Sequence, residues 1–213
     1  NMQKLQMVTT SGQNTKVCAI QGNFDDAQSN VKKIFQDQEM KARLNEMNTT
    51  LSSANSINIG RLIPQIVYYV FAYKEMVRKG KIRFGEEINF CVPTGNYGNV
   101  LAGYYAKCMG LPVKRFLVAS NANHVLYDFL TTGIYDRNRS FFKTISPSMD
   151  ILISSNLERL LYYKSGKDAD YIHELMKSLE EKGSYQVRSD IFKDIQKDFY
   201  GGYCDDETCA AIM

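Results

Sequence analysis

The sequence predicts an α/β fold built on a parallel sheet, and three observations predict it. Short apolar runs at Lys16–Gln21, Ile88–Val92 and Lys114–Ala119 alternate with segments of helical period, as in βαβ units. The stretch from Ile88 to Gly110 reads as strand, glycine turn and helix without interruption. After Thr144 the pattern changes, and four segments in succession carry helical period with no convincing strand. Residues 1–143 are therefore expected to form an α/β portion and residues 144–213 a helical one.

Taken in order, Asn1–Val8 looks helical and has no start signal of its own. In Lys16–Gln21, Val17, Ala19 and Ile20 supply the apolar positions of a strand. Gly22-Asn23-Phe24-Asp25-Asp26 follows, with Asp25 or Asp26 placed to cap a helix over Ala27–Gln36, whose stripe of Val31, Ile34 and Phe35 is expected to pack into a core. Leu44–Ile57 is polar enough for an exposed loop. A long helix is expected over Asn58–Arg78, heavily covered because Tyr68, Tyr69 and Tyr73 thicken more than one side. Ile88–Val92 is a buried strand closed by Pro93, which cannot donate to a ladder. Gly95 and Gly98 make the turn, and helical period runs from Val100 to the stop at Gly110. Lys114–Ala119 is a third strand, and Ser120–Asn123 caps a helix over His124–Thr132. Helices are then expected at Asn156–Tyr163, Ala169–Lys182, Asp190–Phe199 and Thr208–Met213. Both ends read as cut from something longer.

Composition narrows the function classes. The chain has 213 residues and 44% hydrophobic side chains, ordinary for a globular protein. Its net charge of +3 is spread along the sequence, so no basic stripe points to nucleic acid. The longest apolar stretch, Leu62–Tyr73, holds Pro64 and Gln65 and is too short to span a bilayer. Five cysteines without framework spacing fit reduced thiols in a cytoplasmic protein.

Two groups of residues point to anion chemistry. The first amides of a helix have no intrahelical acceptors and sit at the positive end of its dipole, so the Thr94–Asn99 turn can close around one phosphate. It carries neither the Lys-Ser/Thr of a Walker loop nor the G-x-G-x-x-G spacing of a dinucleotide fingerprint. A tight βα connection with no ligand remains the other reading. Asn55-Ser56-Ile57-Asn58-Ile59-Gly60-Arg61 crowds hydroxyl, amide and guanidinium groups at a helix start, with Arg61 one turn in, where it suits an anion or plain solvent. Two histidines give no basis for a serine–histidine machine. Cys204, Asp205, Asp206, Glu207 and Cys209 read as a solvated helix start, and no metal is expected.

Several stretches, in one order, resemble threonine synthase. They are Gln3-Leu5-Gln6-Met7, Gly22–Gln28, Asn55–Asn58 with Arg61, Pro93–Asn99, Ser146–Asp150 and Ser155–Arg159, and they cover nearly the whole chain. The resemblance implies the tryptophan-synthase-β type of pyridoxal-phosphate fold (fold type II), with a cofactor domain in residues 1–143. It implies conversion of O-phosphohomoserine and water to threonine and phosphate. It assigns Thr94, Gly95, Asn96, Tyr97, Gly98 and Asn99 to the cofactor phosphate and Asn55, Ser56 and Arg61 to the substrate phosphate. A dehydratase or cysteine synthase of the same fold fits less well, because their substrates carry no side-chain phosphate.

The departures matter as much. The family's His-x-Pro-Thr-x-x-Phe-Lys-Asp pattern, with its Schiff-base lysine, matches nothing here, and neither does its Pro-His-Thr-Ala stretch. Lys107, Lys114 and Lys143 have no claim to the role. The expectation is a middle fragment, inactive alone, without covalently held cofactor and without nucleic-acid or membrane partners. A non-catalytic phosphate-binding module of the same fold is the alternative.

Overall fold

The computed structural model describes Leu5, residues 8–22, residues 24–55 and residues 58–212. The chain divides into two compact units, Asn1–Thr50 and Leu51–Met213.

In the first unit, α1 spans Phe24–Gln36 and α2 spans Gln38–Glu46. Asp37 caps α2 by accepting from the Met40 amide at 3.0 Å. Asp25 and Asp26 lie within α1, so neither is its cap. The expected strand at Lys16–Gln21 is absent: Lys16–Ile20 is exposed and joins no ladder. A strand of a parallel sheet needs a neighbour to pair with, and the described residues of this unit offer only the isolated Gly12–Thr15 bridge. Val31 and Ile34, expected in a core, are exposed, and Phe35 is half-buried. Part of the expected loop is also helical, since α2 reaches Glu46.

The second unit holds the sheet. The expected Asn58–Arg78 helix comes in three pieces: α3 (Ile59–Leu62), a 3-10 turn (Ile63–Gln65) and α4 (Ile66–Arg78). Pro64 has no amide to donate and crowds the preceding turn, which accounts for the break. Then come β1 (Ile88–Pro93), α5 (Gly98–Cys108), β2 (Val113–Ser120), α6 (Val125–Thr132) and β3 (Ile134–Asp136). They are followed by α7 (Leu157–Lys164), α8 (Ala169–Lys182), β4 (Ser184–Gln186), α9 (Ser189–Asp198), β5 (Phe199–Tyr203) and α10 (Asp206–Ile212).

Three strands form a parallel sheet in the order β1-β2-β5, and β3 pairs with β4 antiparallel. The expectation of a strand-free C-terminal part is thus corrected: β5 crosses back to complete the sheet. Two of its five residues are glycines, which weaken a strand pattern. Gly201 lets α6 lie close, since a Cβ there would stand 3.2 Å from the Tyr127 Cα.

The sheet's covered face carries Phe90, Val92, Phe116, Val118 and Phe199. Phe116 stacks on Phe90 at 6.2 Å and on Phe199 at 5.6 Å. Helix α5 lies on this face so closely that a Cβ on Gly103 would come within 2.7 Å of Phe116 and Tyr69. On the other face Cys91, Arg115 and Tyr200 stay exposed. Among the described residues, no helix is long and apolar enough to cross a membrane.

Candidate functional site

The glycine turn lies at the C-terminal edge of the parallel sheet, where α/β proteins place their ligands. Pro93 is in register with Ala119, and the next amide, Thr94, donates to the Ala119 carbonyl at 2.8 Å. Thr94 is buried, and its hydroxyl donates to the Val92 carbonyl at 2.6 Å. The strand therefore delivers the turn to the edge with its first residue fixed.

Gly95 and Asn96 are held from one side. The Ser154 hydroxyl donates to the Gly95 carbonyl at 2.8 Å. The Asn156 amide and its side-chain Nδ2 donate to the Asn96 carbonyl at 2.9 and 3.1 Å. A trans peptide points its N–H opposite its carbonyl. Clamping these two carbonyls against Ser154 and Asn156 therefore directs the amides of Asn96 and Tyr97 the other way. Gly95 is tightly packed: a Cβ would meet the Ser148 carbonyl and Ile151 Cδ1 at 3.3 Å.

Tyr97 is left-handed at φ 66 and stands at the N-cap position of α5. Its ring is buried against Phe199, 5.8 Å between centroids, so only its backbone can serve the mouth of the turn. Burial, reinforced by the Asp198 charge, pushes its phenol well above the ordinary tyrosine range. The Gly98 amide is satisfied locally by Asn96 Oδ1 at 3.1 Å. The first intrahelical bond runs from the Leu101 amide to the Tyr97 carbonyl at 3.0 Å. Asn99 and Val100 thus add their amides to the positive end of an eleven-residue helix.

The second predicted group sits beside the first. Asn58 caps α3 by accepting from the Gly60 amide at 2.9 Å, and its Nδ2 donates to the Ser53 carbonyl at 2.9 Å. Arg61 is exposed, and its Nε donates to the Ala54 carbonyl at 2.7 Å, leaving the guanidinium's outer edge toward solvent. Asn55 is half-buried, its amide donating to Ser53 Oγ at 3.2 Å. Ser56 lies outside the described residues. Gln65 joins the groups: it donates to the Arg61 carbonyl at 3.1 Å and accepts from Asn99 Nδ2 at 2.9 Å. The buried Tyr69 hydroxyl donates to Asn99 Oδ1 at 2.8 Å. Neither Gln65 nor Tyr69 was singled out as a site residue. Their single signal was helical spacing ahead of the turn, which core packing explains equally well.

Beside the turn, Asp150 is a buried carboxylate that spends its acceptors on protein. Its Oδ1 accepts from Asn121 Nδ2, Asn123 Nδ2 and the Thr144 hydroxyl at 2.8, 3.1 and 2.7 Å. Its Oδ2 accepts from the Thr144 amide at 2.9 Å. Asn121 and Asn123, expected to cap α6, do not: His124 stands at its N-cap position with no side-chain cap bond, and the two asparagines tie the Ser146–Asp150 loop to the sheet edge. Ser154 did not enter the sequence reading, and Asn156 entered it only as a helix start and a family residue.

The remaining candidates are occupied elsewhere. Lys107, at the far end of α5 from the turn, pairs with Asp198 Oδ1 at 2.7 Å. Lys164 is buried between Asp194 and Asp198 at 2.8 and 2.7 Å. Burial alone would lower its pKa, but hydrogen bonds to the two carboxylates outweigh that and raise it. Asp205 accepts from the Thr208 amide at 2.8 Å, as expected of a helix start, whereas Asp206 reaches across to accept from the Ile145 amide at 3.0 Å.

These donors suit a phosphate monoester: outward amides, a helix start, and a glycine whose missing side chain brings backbone to the mouth. No family model matches the chain. Human threonine synthase-like 1 is 44% identical over 215 residues, covering all of this chain and 29% of that protein. Threonine synthase of Saccharomyces cerevisiae is 37% identical over 93% of this chain and 39% of its own length. The crystal structure of yeast threonine synthase superposes with a TM-score of 0.79 at 34% identity, covering 97% of this chain and 40% of that one. The PLP-bound threonine synthase of Brucella melitensis superposes with a TM-score of 0.76 at 40% identity, covering 91% of this chain and 39% of that one. The chain thus spans less than half the length of these relatives. In sequence and in fold, it is threonine-synthase-like along almost all of its own length.

Proposed function

We propose that the chain is the phosphate-gripping part of a pyridoxal-phosphate enzyme that turns O-phosphohomoserine and water into threonine and phosphate. The observation that carries the reading is the clamped turn at the sheet edge. Ser154 and Asn156 hold its carbonyls on one side, which aims its amides at whatever sits at the mouth. Bound there, the cofactor would supply an electron sink for carbanions formed on the substrate.

The chain's own residues do simpler things. The Asn96, Tyr97, Asn99 and Val100 amides hold a phosphoryl group, and the Tyr69–Asn99–Gln65 bonds fix the angle of α5 beneath it. Asn55 and Arg61, the latter joined to the turn through Gln65, receive a second phosphate, that of the substrate. A guanidinium beside a departing phosphate dianion stabilises the charge that builds as the bond breaks. A Schiff-base lysine motif is not in the sequence, and Lys107 is committed to Asp198. The isolated chain therefore binds without turnover.

The test is to titrate the chain with pyridoxal phosphate and then treat it with borohydride. Saturable binding that inorganic phosphate displaces, with no single lysine labelled, is expected. Absence of displaceable binding overturns the phosphate grip, and labelling of one specific lysine overturns the claim that the chemistry lies outside this chain.

A further inference from the structure

Ser120 closes β2, and its hydroxyl is buried without a hydrogen-bond partner among the described residues. The residue is only 5% exposed. Neither the family motifs nor the anion patterns of the sequence include it. Its backbone is spoken for, since the Ser120 carbonyl accepts from the Cys204 amide at 3.0 Å. The side chain alone is idle, which is unusual for a buried hydroxyl.

Its direction follows from the strand. Alternate residues of a strand face the same way, so Ser120 shares a face with Val118 and Phe116. That is the face on which α5 lies, because Phe116 is the ring that Gly103 of α5 meets. From Phe116 the strand runs four residues toward the C-terminal edge, while α5 runs back from Gly103 to its start at Gly98 toward the same edge. Ser120 therefore stands at the C-terminal end of this face, toward the edge where α5 begins, and next to Ala119, whose carbonyl anchors the start of the glycine turn.

We propose that Ser120 is a phosphate-binding residue: its hydroxyl donates from the sheet side to the same phosphoryl group that the Asn96–Val100 amides hold. The inference rests on the reading of the turn given above. A phosphate dianion accepts many hydrogen bonds, and the amides approach only from the helix side. A hydroxyl beneath them supplies a donor from another direction. It also explains why an otherwise costly unpartnered group stands at this spot.

The test uses the full 213-residue chain, with inorganic phosphate and unphosphorylated pyridoxal as probes in calorimetric titrations, and thermal melts in phosphate-free buffer. In Ser120→Ala, phosphate affinity should fall about tenfold, the loss expected for one hydrogen bond to a charged group. Pyridoxal affinity should not change. The melting temperature without phosphate should hold or rise, because the substitution removes an unpartnered polar group; a purely structural serine would lower it. Ser120→Cys, nearly equal in volume and a weak donor, is the second variant and should also lose phosphate affinity. Phosphate bound equally by wild type and both variants overturns the role of Ser120 and leaves the turn's role standing. Phosphate not bound by wild type overturns both.

Discussion

The two anion groups read from the sequence differ in how the structure treats them. The Thr94–Asn99 turn is held from three sides: by Ala119 of the sheet, by Ser154 and Asn156, and by Gln65 and Tyr69. Of the Asn55–Arg61 group, the described Ile59, Gly60 and Arg61 are exposed, and Asn58 and Arg61 bond the local backbone. The difference is one of preorganisation. The turn has its geometry fixed before a ligand arrives, so little ordering entropy remains to be lost on binding. Arg61 must still settle, which suits a substrate that comes and goes.

The comparison can be broken most severely from beneath the turn. Gly103→Val should destabilise the chain by about 3 kcal/mol or more, because it overpacks against Phe116 and Tyr69 and lifts α5 from the sheet. Denaturant melts would measure it. If stability hardly changes, α5 is not seated as described. Asp150→Ala should cost about 3 kcal/mol, since it removes the shared acceptor of Asn121, Asn123 and Thr144 from a buried network. Phosphate affinity should fall with it, as the loop that packs on Gly95 loosens.

The charge cluster behind α5 gives a pH signature. Hydrogen bonding to Lys164 holds the Asp194 carboxyl below the usual range, and the two carboxylates raise the Lys164 ammonium despite burial. For the depressed carboxyl, its share of stability is present above the unfolded pKa and fades as pH falls through the folded one. For the raised ammonium, its share is complete below the unfolded pKa and fades as pH rises through the folded one. The cluster's contribution should therefore be flat from about pH 5 to 10 and decline on either side. Lys164→Met should flatten the acid and alkaline declines in melts across pH. Unchanged declines would place the titrating groups elsewhere.

Smaller effects separate the two groups directly. Gly95→Ala should cost about 1 kcal/mol, with the added methyl pressing on Ser148 and Ile151. It should weaken phosphate binding in calorimetry. Arg61→Ala should change stability by less than about 0.5 kcal/mol, as exposed positions do, and should leave binding at the turn intact. A clear loss of phosphate affinity in Arg61→Ala would merge the two sites into one.

Much of this was legible in the sequence where local chemistry decides. The Ile88–Gly110 unit announces itself by an apolar run, a proline, a glycine turn and a change of period. Helix α8 carries its own cap at Asp168 and stop at Gly183, and it spans Ala169–Lys182 as read. Failures came where partners decide. Lys16–Gln21 has the residues of a strand but no neighbour to pair with among those described. Phe199–Tyr203 has glycines that argue against a strand, yet β2 lies alongside to receive it. Ser154, Asn156 and Asp150 support the turn from about fifty to sixty residues away, so no local pattern announces them. The idle hydroxyl of Ser120 is visible only once its surroundings are known.

The central claim is that outward amides of the Gly95–Asn99 turn grip a phosphoryl group. The most direct measurement follows amide resonances of the 15N-labelled chain while inorganic phosphate is added. Saturable shifts led by Asn96, Tyr97, Asn99 and Val100, with Arg61 responding weakly or at higher concentration, are predicted. Still resonances at the turn, or shifts confined to the Asn58–Arg61 helix start, would contradict it.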